Sequence, residues 1–176
     1  MASITTTLIG ILLLFYSVRV FVRWSRAKVI AEFMLVSEGK NVFLNSKKRY
    51  SLCFLGAGFV SDKGKIIVEL KSTEGKLIPL HKTLPNYRFR RNGTIGLEYW
   101  YFNIEKDGIY NLNFVNINDL IIKDSMLISK RIFQKNRRAE DLKILLKESI
   151  SIRSRLLAII CLVIGINALL WGILIN

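Results

Sequence analysis

An antiparallel β domain, a β-sandwich or small barrel, flanked by N- and C-terminal transmembrane α-helices is the fold class that this 176-residue sequence predicts. Three observations predict it. All 27 Lys and Arg residues lie between Arg19 and Arg155, so both ends of the chain are uncharged and apolar. The run from Leu156 to Asn176 holds no charged side chain, and at about 1.5 Å rise per residue its roughly 20 residues match a hydrocarbon core of about 30 Å. Between the ends, short apolar stretches alternate with turn signals at regular spacing, the pattern of an all-β domain.

Taken in order, residues 1–24 read as the first transmembrane helix. Met1 to Val18 carries no charge, and Val20, Phe21 and Val22 extend the run to spanning length once Arg19 snorkels to the headgroups. The basic cluster follows the apolar core, which fits a retained signal anchor rather than a cleaved signal peptide. Residues 25–41 read as an amphipathic helical extension, because Val29, Ile30, Phe33, Met34 and Val36 recur near helical spacing up to about Ser37, before the stop signal of Gly39. Residues 42–133 form the β domain. Residues 134–154 read as a second amphipathic helix, with Ala139, Leu142, Leu145, Leu146 and Ser149 on one face, expected to pack on the first as a stalk. Residues 155–176 are the second transmembrane helix. Trp24 and Trp171 fall near opposite ends of the apolar runs, where an indole suits the interface.

Within the β domain, Asp62-Lys63-Gly64, Glu74-Gly75 and Asn92-Gly93 punctuate the strands. Asn-Gly predicts a two-residue hairpin loop with Arg91 opposite Thr94, because both central residues of a type I′ turn need positive φ. A three-residue loop at Lys106-Asp107-Gly108, with Gly108 left-handed, would pair Ile104 with Tyr110, Phe102 with Leu112 and Trp100 with Phe114, making these six residues the core. Asp119–Ile122 and Met126–Phe133 complete a set of about seven to nine strands.

Retained cations mark the cytoplasmic side. Arg19, Arg23, Arg26 and Lys28 follow the first span, and Arg137, Arg138, Lys143, Lys147, Arg153 and Arg155 precede the second. Both spans give one orientation, with the termini outside and the central domain cytoplasmic. A formal charge of +14 invites a nucleic-acid reading, but the clusters sit close to the spans, where each cation gains about 1 kcal/mol from anionic lipid. Arg19, Arg23, Arg26, Lys28, Arg137 and Arg138 are therefore the expected membrane-surface residues, with the anionic bilayer as partner rather than nucleic acid. Cys53 falls in the reducing cytosol and Cys161 in the membrane, so no disulfide is expected. One His and one cytosolic Cys fall short of a structural zinc site, and no cofactor motif is present: Gly56-Ala57-Gly58 lacks the third glycine and the following helix of a nucleotide loop, and suits a strand bulge or bend.

No enzyme is expected. His81 is the only histidine, it lies in a segment flanked by Pro79 and Pro85 that reads as an edge or loop, and no nucleophile, base and orienting group converge on it at recognisable spacing. The surface with binding character is the face opposite the aromatic core, expected to gather Arg88, Arg90, Tyr99, Tyr101, Asn103, Asn111 and Asn113; cations, ring planes and amides suit an anionic planar ligand. The plainer alternative is a second sheet or solvent over that face. In the spans, Gly165, Asn167, Ala168 and Gly172 are the expected helix-packing residues, serving contact between the two spans or self-association. Together these readings predict a non-enzymatic two-span protein whose cytosolic β domain binds a ligand or protein and signals to the spans. That layout resembles membrane-anchored effectors of bacterial abortive-infection systems, a resemblance of architecture that covers no motif. The alternative is an interaction or scaffold protein, such as a toxin-immunity protein or an accessory subunit of an envelope complex.

Overall fold

The computed structural model describes residues 2–36, 39–62, 65–84, 86–125 and 127–174. It contains mainly antiparallel β-sheet, with a long apolar helix at each end. Helix α1 (Ala2–Ser25) opens the chain, a short helix α2 (Ile128–Phe133) falls within the β region, and α3 (Ile152–Leu174) closes it. The chain divides into two compact units, Lys28–Ser149 and the paired terminal segments.

In the terminal unit, both helices are long and apolar enough to cross a membrane. They lie against each other in antiparallel fashion: Gly10 meets Gly165, Ser17 meets Ala158 and Trp24 meets Arg155. The contact is close because it is glycine on glycine. A Cβ on Gly10 would lie 3.0 Å from the Gly165 carbonyl oxygen, and one on Gly165 would lie 3.0 Å from Leu14 Cγ. Small residues at the crossing let backbones approach, and a hydroxyl can then bond across it. The Ser17 hydroxyl does so, 2.9 Å from the carbonyls of both Leu13 and Ala158. Arg155 is buried, its guanidinium 4.8 Å from the centre of the Trp24 ring.

In the central unit the strands are β1 (Val29–Met34), β2 (Lys40–Leu44), β3 (Lys48–Leu55), β4 (Phe59–Ser61), β5 (Ile67–Ser72), β6 (Leu77–Ile78), β7 (His81–Lys82), β8 (Arg88–Arg91), β9 (Thr94–Ile104), β10 (Gly108–Val115), β11 (Ile121–Lys123) and β12 (Lys143–Glu148). A six-stranded sheet runs β1-β12-β3-β9-β7 with β8 also on β9, a four-stranded sheet runs β2-β10-β5-β6, and β4 pairs with β11. One apolar core draws on all three. Leu52, Phe54, Trp100, Phe102, Ile104, Ile144 and Leu146 come from the larger sheet, Leu44, Leu70, Tyr110, Leu112 and Phe114 from the smaller, and Val60 and Ile122 from the pair. Each such side chain contributes about 1.5–3 kcal/mol of burial free energy.

Four sequence expectations are corrected. Residues 25–41 do not extend the first helix: α1 ends at Ser25, and Val29–Met34 is an edge strand. Residues 134–154 are not an amphipathic helix; a 3-10 turn at Ala139–Asp141 leads into the strand β12, and α3 starts at Ile152. The two segments do pack together, but as antiparallel neighbours with Val29 opposite Lys147 and Met34 opposite Lys143. The reason is burial on both faces of β12: Ile144 and Leu146 enter the main core while Leu145 joins Cys53 and Leu55 on the other side. A strand covered twice loses its alternation, and a short apolar run then imitates a helix. Ile128–Phe133, expected as a strand, is helical.

The fourth correction concerns Lys106-Asp107-Gly108. It does not close a hairpin; β9 and β10 belong to different sheets, and Gly108 is not left-handed. The chain there passes from one sheet to the other, held by the backbone N–H of Ser46 donating to the Asp107 carboxylate and by the Tyr110 hydroxyl donating to the Lys106 carbonyl at 2.8 Å. The six core residues are nevertheless buried as expected. The alternation is the same whether two strands lie side by side or belong to different sheets that feed one core. Residues 37, 38, 63, 64, 85 and 126, within several of the expected turns, lie outside the described residues.

Candidate functional surface

The candidate face starts from the β8–β9 hairpin. Asn92 and Gly93 take φ of 48° and 78°, as a type I′ turn requires, and Arg91 stands opposite Thr94. Arg88 and Arg90 then oppose Leu97 and Ile95, and both arginines are exposed. Phe89 points the other way and lies over Gly96: a Cβ at Gly96 would sit 2.4 Å from its ring. This is an aromatic ring filling the space above a strand glycine.

Further along β9 the faces change. The pairing with β3 slips between Leu52, which meets Trp100, and Cys53, which meets Glu98. Tyr99 is the extra residue of this bulge, which re-aims the side chains beyond it. Tyr99 and Trp100 consequently both enter the core, where they meet Phe54 at 5.3 and 5.5 Å between ring centres. Burial, and then the charge of hydrogen-bonded Asp62, pushes the Tyr99 phenol up to about 12. Asp62, itself buried, is 2.7 Å from Lys82 Nζ. Tyr99 is a core residue with a polar anchor and is not on the expected ligand face.

Tyr101 does face outward. The Arg49 guanidinium lies 3.7 Å above its ring and the His81 ring stacks on it at 5.3 Å. Asn103 is exposed and opposite Arg49. On the same side of this sheet lie Ser51, opposite Tyr101, and Glu98 and Lys147. Glu98 is only 2% exposed and accepts from the Ser149 hydroxyl at 3.2 Å, while Lys147 Nζ lies 3.8 Å above the Phe89 ring. The sequence pointed to Lys147 only as a cation before the second span, and neither it nor Glu98 was expected on this face. A signal existed for Glu98, since it is the single charge in the strand Thr94–Ile104. Buried charges of this kind are retained only with partners.

Asn111 and Asn113 belong elsewhere. They lie on β10 in the four-stranded sheet, so the structure does not bring them together with Tyr101 and Asn103 in one sheet. Asn111 Nδ2 donates to Asn41 Oδ1 at 2.8 Å, and Asn113 Oδ1 is buried with no hydrogen-bond partner among the described residues. The register places them between Phe43–Ile109 at one end of this face and Ile67–Val115 at the other, with Glu69, Lys71 and Leu77 beside them. Phe43, Ile67, Leu77 and Ile109 are all about half-exposed. It is a mixed face of amides and apolar side chains carrying few charges.

Of the membrane-surface residues, Arg19, Arg23, Arg26, Lys28 and Arg138 are exposed. Arg137 is tied down, 2.9 Å from both the Asp124 carboxylate and the Gly56 carbonyl. Gly56 has φ of 101° and ends β3, so Gly56-Ala57-Gly58 is a bend. Of the helix-packing residues, Gly165 and Gly172 are buried, Ala168 is partly so, and Asn167 is exposed with Nδ2 on the Val163 carbonyl at 2.8 Å, not aimed at the Gly10–Gly165 seam. Compared with known proteins, the chain matches no family model and no characterised protein by sequence.

Proposed function

We propose that this chain is a non-enzymatic two-span membrane protein whose cytosolic β-sandwich binds a ligand or protein and transmits the event to its spans. The carrying observation is the pairing of β1 with β12. Only residues 26–28 separate α1 from β1, and only residues 149–151 separate β12 from α3. Neighbouring strands of one sheet thus continue, with almost no linker, into both apolar helices. A shift of these strands on binding has little slack in which to dissipate. The orientation follows from the cations confined between Arg19 and Arg155, with anionic headgroups meeting Arg19, Arg23, Arg26 and Lys28.

The reading predicts that induced protein depolarises the membrane and that Gly165→Leu, which forces a side chain into Leu14 and the Gly10 backbone, abolishes this without removing the protein from the membrane. A potential-sensitive dye measures it. Unchanged potential under every inducing condition rejects the effector reading.

The scaffold reading is favoured by the face bearing Phe43, Ile109, Asn111 and Asn113, whose apolar and amide mixture suits a protein partner. A scaffold co-purifies from native membranes with a stoichiometric partner that is lost on Phe43→Asp. An effector returns only itself.

A further inference from the structure

After β11 the chain forms helix α2 before reaching the 3-10 turn at Ala139–Asp141, and residues 127–133 expose a run of large apolar side chains. Leu127, Ile128, Ile132 and Phe133 are 59%, 67%, 71% and 88% exposed. The polar side chains of the same segment do the opposite and hold its neck. Lys123 Nζ donates to the Gln134 carbonyl, Gln134 Oε1 accepts from the Ser125 backbone at 3.0 Å, and Arg137 binds Asp124 and the Gly56 carbonyl. Arg131 is laid 3.8 Å above the Phe59 ring. The neck is therefore built, and the apolar tip is what it presents.

Charge identifies the occupant. From Lys123 to Arg138 there are six cations, and the single carboxylate, Asp124, is paired with Arg137. Lys130, Lys135 and Arg138 are exposed around the tip. An apolar tip within a basic collar matches a bilayer bearing anionic headgroups, with side chains reaching the acyl boundary and cations remaining among the phosphates. A second copy would instead set two basic collars against each other.

We propose that the Leu127–Phe133 tip inserts into the surface of an anionic bilayer, a membrane contact of the β domain separate from the two spans. It rests on the membrane location proposed above. The test uses the full chain with Cys161→Ala, leaving Cys53 buried, and a single new cysteine labelled with bimane in brominated-lipid vesicles. The vesicles are phosphatidylcholine with or without phosphatidylglycerol. Phe133→Cys reports the tip, Asn92→Cys an exposed turn, and Val163→Cys the span.

Label at 133 is expected to be quenched well above label at 92 when phosphatidylglycerol is present. That quenching should be lost in phosphatidylcholine alone and on Lys130→Glu, Lys135→Glu and Arg138→Glu together. Quenching at 163 with none at 133 overturns the tip contact while leaving the spans intact; no quenching at either position overturns both. Equal quenching with and without anionic lipid removes the headgroup selectivity and overturns the proposal. So does energy transfer between tips of separate copies in place of quenching.

Discussion

The two turns that bracket β9 have similar compositions and opposite outcomes. Asn92-Gly93 folds β8 back onto β9, whereas Lys106-Asp107-Gly108 sends the chain from the six-stranded to the four-stranded sheet. Both contain an acceptor side chain followed by glycine, yet only the first puts that glycine at positive φ. A two-residue loop has almost no freedom, so its chemistry dictates the pairing. A longer loop leaves the choice to distant strands: β10 takes β2 and β5 as neighbours, and β9 takes β3. Burial alternation therefore locates a core without stating which strands are adjacent.

Four sets of substitutions test this contrast. The largest effect belongs to the strand between the turns: Phe102→Ala should cost about 3–5 kcal/mol in a urea titration of the protein in detergent, against about 1 kcal/mol for Tyr101→Ala on the outer side. Equal losses would mean that the faces of β9 are misassigned. Next, Gly96→Val forces a side chain into the Phe89 ring, at about 1–3 kcal/mol; adding Phe89→Ala should recover part of the loss, since the clash is with that ring.

Smaller still, Gly93→Ala should cost about 1 kcal/mol because its φ is left-handed, whereas Gly108→Ala, in open space at ordinary φ, should stay within about 0.5 kcal/mol. Matching values at 93 and 108 would erase the distinction between the turns. The smallest effect is electrostatic. Hydrogen bonding from Ser46 lowers the Asp107 pKa, so its contribution is present above the unfolded value of about 3.9 and fades as pH falls through the depressed folded value. Asp107→Asn should therefore be less stable than the parent at neutral pH and converge with it in acid, as thermal melts across pH would record.

The same physics explains what could be read from the sequence. The two apolar helices declare themselves through uninterrupted runs of uncharged residues, and the β8–β9 register through a dipeptide with one favoured geometry. Segments 29–34 and 143–148 were misread because their state is set by partners far along the chain: β12 lies between β1 and β3, and neither neighbour is local. The candidate face dispersed for a related reason. Its residues were assembled on the assumption that β9 and β10 pair, and a single bulged residue, Tyr99, then reversed the facing halfway along β9. Arg88 and Arg90 are exposed beside Leu97 and Ile95 before the bulge, Tyr101 and Asn103 face the other way after it, and Asn111 and Asn113 fall on another sheet.

The placement of β12 also has a consequence for biosynthesis. Its residues leave the ribosome just before α3, yet they fill the slot between β1 and β3, which are made long before them. Until then, β1 and β3 have unsealed backbone edges in that slot, and such edges are the feature that invites wrong partners. The nascent domain must wait with that slot beside its edge strand open, and completing the sheet is a late, long-range event that coincides with delivery of the second apolar segment.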